Sequence, residues 1–164
     1  MKPGTKRTYR SWSELGRDLW AVLRLSGRAG ALLRGRLVNA QFRQRLMLAV
    51  TAVNDCRYCS YAHTRLALKA GLSSEEISTL LAGASGSPVM PLQAPVEEVP
   101  AILYAQHWAE TNGIPDPEAK LRLAELYGAQ KQQVIELSLL VIHIANKLGN
   151  WWDAWMYRLR GQGG

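Results

Sequence analysis

The chain of 164 residues has only two cysteines, one phenylalanine and three histidines. No stretch approaches the roughly 20 apolar residues of a membrane-spanning helix. The basic N-terminus lacks the apolar core of a secretory signal, because Glu14, Arg17 and Asp18 interrupt its apolar residues. No alternating run predicts a strand, and neither G-x-x-x-x-G-K-[ST] nor G-x-G-x-x-G occurs. We therefore expect a helical, cytoplasmic protein that does not belong to the nucleotide-binding α/β classes.

Positive charge is concentrated at one end of the chain. Residues 1–45 hold eleven Lys and Arg against two Asp and Glu, whereas the remaining residues hold nine against eleven. The stripe of Trp12, Leu15, Leu19 and Val22 predicts a basic amphipathic helix within an N-terminal extension, 1–36, ahead of a helical domain, 37–164. Docking of this helix on its own domain or on a neighbouring subunit is favoured over a membrane surface or an acidic partner. No nucleic-acid-binding motif accompanies the charge, so we predict no nucleic-acid partner.

Both cysteines lie in one motif, Cys56-Arg-Tyr-Cys59, with His63 four residues later. Asn54 and Asp55 are good N-cap residues, so we expect both thiols in the first turn of a new helix, where the dipole lowers the pKa of a thiol. Helical spacing would place Cys56 beside Cys59, and Cys59 beside His63 as its base. We therefore expect a reactive Cys59 and a redox-active dithiol.

Three other interpretations compete with redox chemistry. The cysteines could be structural core residues, or they could form an inert disulfide. Cys56, Cys59 and His63 could also be three zinc ligands, although a closed structural site usually has four. No second C-x-x-C or H-x-x-x-H occurs, and His107 and His143 are far along the chain. Redox chemistry is favoured because C-x-x-C is a recurrent redox spacing in intracellular chains, and we predict neither a metal nor another cofactor.

The motif and its surroundings resemble a known family. The segment A-V-N-D-C-R-Y-C-S-Y-A-H at 52–63, followed by A-G-L-S at 70–73 and E-E-I at 75–77, is similar to the core of the carboxymuconolactone decarboxylase superfamily. Within it, the match is to the AhpD-like alkylhydroperoxidase branch, which carries E-x11-C-x-x-C-x-x-x-H. The resemblance is close over 40–81 and weaker over 134–148, where Asn146 fits the last long helix of the family.

This resemblance implies an all-α fold assembled as a homotrimer or homohexamer. It also implies a thiol-dependent oxidoreductase that reduces peroxides or exchanges disulfides. The substrate would be a peroxide or another small molecule, and the reductant a dithiol protein or a lipoyl-type group. By position, Cys59 would attack the peroxide, and His63 would relay the proton. Cys56 would be the more exposed thiol, which closes the disulfide and meets the reducing protein.

The sequence departs from the family pattern at Gln44, which stands where the family has a glutamate, twelve residues before Cys56. We include Gln44 among the candidate site residues, but an amide cannot accept a proton as a carboxylate does. This departure favours an alternative function, in which the same fold is a non-catalytic thiol sensor or a partner-binding module.

The rest of the chain predicts further helices and one long loop. Ser73 and Glu76 form a capping box that opens a helix to Leu81, and a Gly- and Pro-rich loop follows over 83–100. Helices are expected at Val99–Glu110, 117–127 and 131–148, with a bend at Gly149. We interpret His143 as a satisfied core or interface histidine, with a place in the lining of the thiol pocket as the alternative. We expect the tryptophan-rich segment 151–155 to lie at a subunit interface.

Overall fold

The computed structural model describes residues 6–82 and 93–161, and within these ranges the chain forms helices and no strands. The α-helices are α1 (Trp12–Leu25), α2 (Ala29–Leu33), α3 (Ala40–Asn54), α4 (Arg57–Ala70), α5 (Ser74–Ala82), α6 (Val99–Glu110) and α7 (Pro117–Gly161). The prediction of an all-α fold is confirmed. Of the predicted loop, 83–92 lies outside the described residues. No helix within the described ranges is long and apolar enough to cross a membrane.

Helix α3 occupies the centre of the fold and packs against α4, α5, α6 and α7. Its middle is apolar on every side, with Leu46, Leu48, Ala49 and Val50 fully buried. A helix that is apolar all round is stable only when it is surrounded. The central position of α3 fixes the start of α4, which carries the cysteine motif, against the C-terminal half of α7.

A buried arginine ties the central helix to its neighbours. Arg45 Nε lies 2.6 Å from Glu76 Oε1 of α5, and Arg45 Nη1 lies 2.9 Å from Glu98 Oε2, just before α6. Buried charges require such partners, because removal of one partner leaves an uncompensated charge. The predicted capping box is half formed. Ser73 Oγ accepts the Glu76 amide N–H at 3.1 Å, whereas the Glu76 carboxylate binds Arg45.

Helix α7 is interrupted once, at Gly128, where φ is 74° and ψ is 155°. Glycine adopts this left-handed φ without steric cost. The helical segment predicted at 117–127 is therefore confirmed as a separate piece of α7. The predicted bend at Gly149 is wrong, because the helix continues through this residue.

Helix α1 docks on α7, so the predicted docking of the N-terminal extension on its own domain is confirmed. The contact is polar at its centre. Lys147 is fully buried, and its Nζ lies 2.6 Å from Glu14 Oε1 and 3.7 Å from Asp18 Oδ2. Only half of the predicted apolar stripe faces inward: Leu15 and Val22 are partly buried, whereas Leu19 is exposed and Trp12 is 88% exposed. Burial of Lys147 requires the two carboxylates on the inner face of α1, and this turns Trp12 outward.

Candidate dithiol site

Cys56 caps the helix that carries the rest of the motif. Helix α3 ends at Asn54, Asp55 turns the chain with a left-handed φ of 52°, and Cys56 is extended, with φ −96° and ψ 103°. Cys56 Sγ accepts the Cys59 amide N–H at 3.4 Å. The predicted caps, Asn54 and Asp55, are therefore wrong: these residues end α3, and the cysteine itself occupies the N-cap. Only Cys59 lies in the first turn of α4.

The two sulfurs are in direct contact. Cys56 Sγ lies 2.7 Å from Cys59 Sγ, both thiols are free, and a disulfide bond would bring the sulfurs to about 2.05 Å. Cys56 is 1% exposed, whereas Cys59 is partly exposed. The expectation that Cys56 is the more exposed thiol is therefore wrong. Closure of the disulfide requires only a small movement of either sulfur.

Gly149 of α7 lies against both sulfurs. A Cβ atom on Gly149 would lie 2.9 Å from Cys56 Sγ and 3.7 Å from Cys59 Sγ. Real Cβ atoms essentially never approach another heavy atom as closely as the first distance. The residue is a glycine because α7 passes this close to the dithiol. The sequence predicted only a bend at Gly149. No local signal indicates its contact with Cys56 and Cys59, which are about 90 residues earlier in the chain.

The Cys56 thiol ionises more readily than the Cys59 thiol. The contact with Cys59 lowers the pKa of Cys56 to about 7 against the opposing effect of burial, and the backbone N–H groups of Cys59 and Tyr58 and the charge of Lys6 add to the lowering. The same contact, together with burial, raises the pKa of Cys59. The expected low pKa therefore belongs to Cys56, first because its sulfur accepts the hydrogen of the Cys59 thiol and then because it receives backbone N–H groups. When Cys56 is ionised, the hydrogen between the sulfurs is that of Cys59.

The structure brings His63 and Gln44 together. His63 Nδ1 lies 2.8 Å from Gln44 Oε1, so the imidazole donates to the amide oxygen and leaves Nε2 free to accept a proton. Burial and the charge of Arg43 lower the pKa of His63, which keeps the ring neutral. Within the described residues the imidazole makes no hydrogen bond to Cys59, although the two share one face of α4.

His143 is fully buried and contacts the end of α3, next to the dithiol motif. The prediction that His143 is a core residue is confirmed, since it is fully buried and its ring meets Trp108 edge-on at a centroid distance of 5.0 Å. Burial lowers the pKa of His143 to about 3, so the ring is neutral. Its Nδ1 lies 3.0 Å from Asn54 Nδ2. This contact fixes the end of α3, two residues before Cys56.

Two further elements surround the motif and were not predicted. Asn150 Nδ2 donates to the carbonyl oxygens of Asn54, at 2.8 Å, and of Arg7, at 3.0 Å. Asp153 lies within 2.5 Å of Lys6 Nζ and 3.1 Å of Arg57 Nη2. The N-terminal segment and the end of α7 therefore both border the dithiol. Within the part of the chain that the structure describes, no group of three or more His, Cys, Asp or Glu is arranged to hold a metal ion.

Comparison with known proteins identifies a family. The sequence model described as "Carboxymuconolactone decarboxylase family" matches residues 19–111, more than half of the chain. This range includes Gln44, Cys56, Cys59 and His63, but it ends before α7 and Gly149. No curated protein and no solved structure matches the chain.

Proposed function

The chain belongs to the carboxymuconolactone decarboxylase family, and we propose that within this family it is an AhpD-like thiol oxidoreductase that reduces peroxides or exchanges disulfides. The observation that carries the proposal is the distance of 2.7 Å between Cys56 Sγ and Cys59 Sγ. Two thiols at this distance can release two electrons by forming one disulfide bond. The position of His63 one turn after Cys59 on α4, and its contact with Gln44, support a role in proton transfer.

The proposed oxidative half-reaction begins at the partly exposed thiol. The Cys59 thiolate attacks the hydroxyl oxygen of the peroxide and the O–O bond breaks, so Cys59 becomes a sulfenic acid. The leaving alkoxide or hydroxide takes up the proton that Cys59 had lost and leaves as an alcohol or water. The Cys56 thiolate then attacks Cys59 Sγ and the S–O bond breaks. The leaving hydroxide takes up the proton that Cys56 had lost and leaves as water. The peroxide has gained two electrons, and the Cys56–Cys59 disulfide has formed.

Cys59 must lose its proton before it can attack, because its pKa is raised in the resting dithiol. Two acceptors are at hand. The Cys56 thiolate can take the proton directly along the contact between the sulfurs. The neutral imidazole of His63, one turn further along α4, can take it at Nε2 when Nδ1 donates to Gln44. A glutamate in place of Gln44 would stabilise the resulting imidazolium, whereas an amide stabilises it less.

The reductive half-reaction needs an external dithiol, and we propose a dithiol protein or a lipoyl-type group. Its first thiolate opens the disulfide, and its second releases the mixed disulfide and leaves the reductant oxidised. We also propose that the protein works as a homotrimer or homohexamer. Exposed tryptophans on α1 and α7 support an assembled state, since Trp12, Trp151, Trp152 and Trp155 are each more than 40% exposed.

The second candidate is a thiol sensor that is oxidised once and reports its redox state to a partner. Gln44 favours this function, because the position that contacts His63 lacks the carboxylate of the family pattern. A sensor needs only a single oxidation, so slow proton transfer would not impair it. The two candidates therefore differ in the number of turnovers.

Peroxide consumption by the purified chain, with dihydrolipoamide as the reductant, tests the proposal. We expect many equivalents of an organic hydroperoxide to be consumed per subunit, and Cys59→Ser to lower the steady-state rate at least a hundredfold. Without the reductant, Cys56→Ser should consume about one equivalent and stop at the sulfenic acid. Tyr61→Phe is the matched control on the same helix, because its exposed hydroxyl contacts only Arg65 among the described residues. One equivalent consumed by the unaltered chain would support the sensor, and full activity of Cys59→Ser would contradict both candidates.

A further inference from the structure

Cys56 is covered on one side by the backbone of α7. The residue is 1% exposed, and the space that a Cβ of Gly149 would occupy lies 2.9 Å from Cys56 Sγ. No thiol-bearing molecule can approach Cys56 Sγ from this side while α7 keeps its position. Cys59 Sγ lies further from the same point, at 3.7 Å, and Cys59 is partly exposed.

The N-terminal segment borders the residues next to Cys56 on another side. The Arg7 amide N–H donates to the Asn54 carbonyl at 3.4 Å, and Asn150 joins the carbonyls of both residues. Lys6 continues the contact through its ion pair with Asp153 of α7. These bonds hold residues 6 and 7 against the junction of α3 and α4. The N-terminal segment therefore contacts the chain two residues before Cys56, and α7 covers Cys56 itself.

We propose that the external thiol that reduces the Cys56–Cys59 disulfide attacks Cys59 Sγ, and that Cys56 is the sulfur that leaves. This inference rests on the proposed dithiol function and deepens it. It reverses the roles that the family resemblance implies for the reductive step, in which Cys56 would meet the reducing partner. The same partly exposed sulfur then receives both the peroxide and the reductant.

The chemistry of the leaving sulfur agrees with this assignment. The thiolate of the reductant forms a bond to Cys59 Sγ, the Cys56–Cys59 bond breaks, and Cys56 takes the electron pair as a thiolate. Thiol–disulfide exchange is faster when the leaving thiolate is better stabilised. Cys56 Sγ is the N-cap acceptor of the Cys59 amide N–H, so the leaving charge is formed at a helix N-terminus. The second thiol of the reductant then attacks the mixed disulfide, and Cys59 is released and protonated.

Two single-cysteine variants of the full chain test the assignment. Cys56→Ser retains only Cys59, Cys59→Ser retains only Cys56, and serine is itself a good N-cap, so the first variant preserves the start of α4. Each is reacted with bis(2-hydroxyethyl) disulfide, and formation of the mixed disulfide is followed by intact mass across pH. The plateau rates at high pH are compared, because both thiols are then ionised and the thiolate fraction no longer differs between them. We expect the Cys59 plateau to be at least tenfold faster, and the difference to vanish in urea.

A measurement on the unaltered chain guards against a folding defect in either variant. The oxidised protein is mixed with excess glutathione, freed thiols are capped at once with N-ethylmaleimide, and the adducts are located by peptide mass. Glutathione on Cys59 with a capped Cys56 is the expected product. Glutathione mainly on Cys56, equal amounts on both, or equal plateau rates would overturn the assignment.

Failure of the inference can be told apart from failure of the proposed function. Peroxide turnover of the unaltered chain with a preference for Cys56 would leave the function standing and refute only the assignment. Absence of turnover with a preference for Cys59 would refute the peroxidase function and leave the attacked sulfur as assigned.

Discussion

Substitution of Gly149 by alanine tests whether close passage of α7 fixes the dithiol. The new Cβ would lie 2.9 Å from Cys56 Sγ, so either the sulfur or the helix must move. The sulfur is not free to rotate away at low cost, because it accepts the Cys59 amide N–H and contacts Cys59 Sγ. Glycine to alanine in a helix normally stabilises by about 1 kcal/mol, whereas overpacking a core costs about 1–3 kcal/mol. We expect overpacking to win, with a net loss of up to about 2 kcal/mol in the free energy of unfolding.

Urea denaturation of the reduced protein measures this loss, and Gly16→Ala is the matched control. Gly16 also lies in a helix, and nothing lies within 4 Å of the position of its Cβ. The control should therefore be as stable as the unaltered chain or up to about 1 kcal/mol more stable. Gly149→Ala should lower the midpoint of thermal unfolding by a few degrees, at about 2–4 °C per kcal/mol for a chain of this size.

A double-mutant cycle assigns the loss to the sulfur. In a Cys56→Ala background the atom 2.9 Å from the new Cβ is absent, so Gly149→Ala should be neutral or stabilising there. The coupling energy between the two positions should exceed about 1 kcal/mol, as is usual for residues in contact. An equal loss of stability in both backgrounds, or no loss in either, would refute the argument that Gly149 is required by Cys56.

Three further predictions concern the proton relay, the N-terminal helix and assembly. Gln44→Glu would place a carboxylate beside His63 Nδ1, raise the pKa of His63 and increase peroxidase kcat by up to about a hundredfold. Gln41→Glu on the same helix is the control. An unchanged rate in Gln44→Glu would mean that another group relays the proton or that peroxide is not the substrate. Burial opposes ionisation of Glu14, but hydrogen bonds from the Arg10 amide, Lys147 and Asn112 hold its pKa at about 2. Because this pKa is depressed from the unfolded value of about 4.3, the stabilisation is complete above that value and is lost as pH falls towards 2. Tryptophan fluorescence should therefore report undocking of α1 in acid, and Glu14→Gln should remove that transition. Light scattering should give the mass of a homotrimer or homohexamer, and a monomer mass at micromolar concentration would contradict the interface role of Trp151 and Trp155.

Local signals predicted the helices well. Helix α6 begins and ends at the predicted residues, Val99 and Glu110, because Pro100 favours its first turn and its apolar residues follow a helical period. Helix α5 follows the predicted cap at Ser73. The start of α4 was predicted wrongly, because asparagine and aspartate are more frequent N-cap residues than cysteine. The left-handed turn at Asp55 ends α3 at these residues and leaves the cap to Cys56.

The candidate residues could be found from sequence because their spacing is local, but their environments could not. The pattern of Cys56, Cys59 and His63 is contained within eight residues, and the family pattern led to Gln44. Exposure and ionisation of the thiols depend instead on α7 and on residues 6 and 7, which are distant in sequence. A helix N-terminus lowers the pKa of whichever sulfur receives its N–H groups. Which sulfur this is depends on the turn between α3 and α4.

The docking of α1 on α7 brings the basic N-terminal helix next to the tryptophan-rich end of the chain, although the two are far apart in the sequence. Lys147 is fully buried and draws Glu14 and Asp18 inward, so removal of either carboxylate would leave a buried charge undercompensated. This anchoring turns Trp12 outward, next to Trp151 of α7, and the two tryptophans line one apolar groove. The basic N-terminal helix and the tryptophan-rich end of the chain therefore form a single continuous surface. If this surface is the subunit interface, Trp12→Ser and Trp151→Ser should weaken the same assembly, and their effects should be less than additive because each disrupts the same contact.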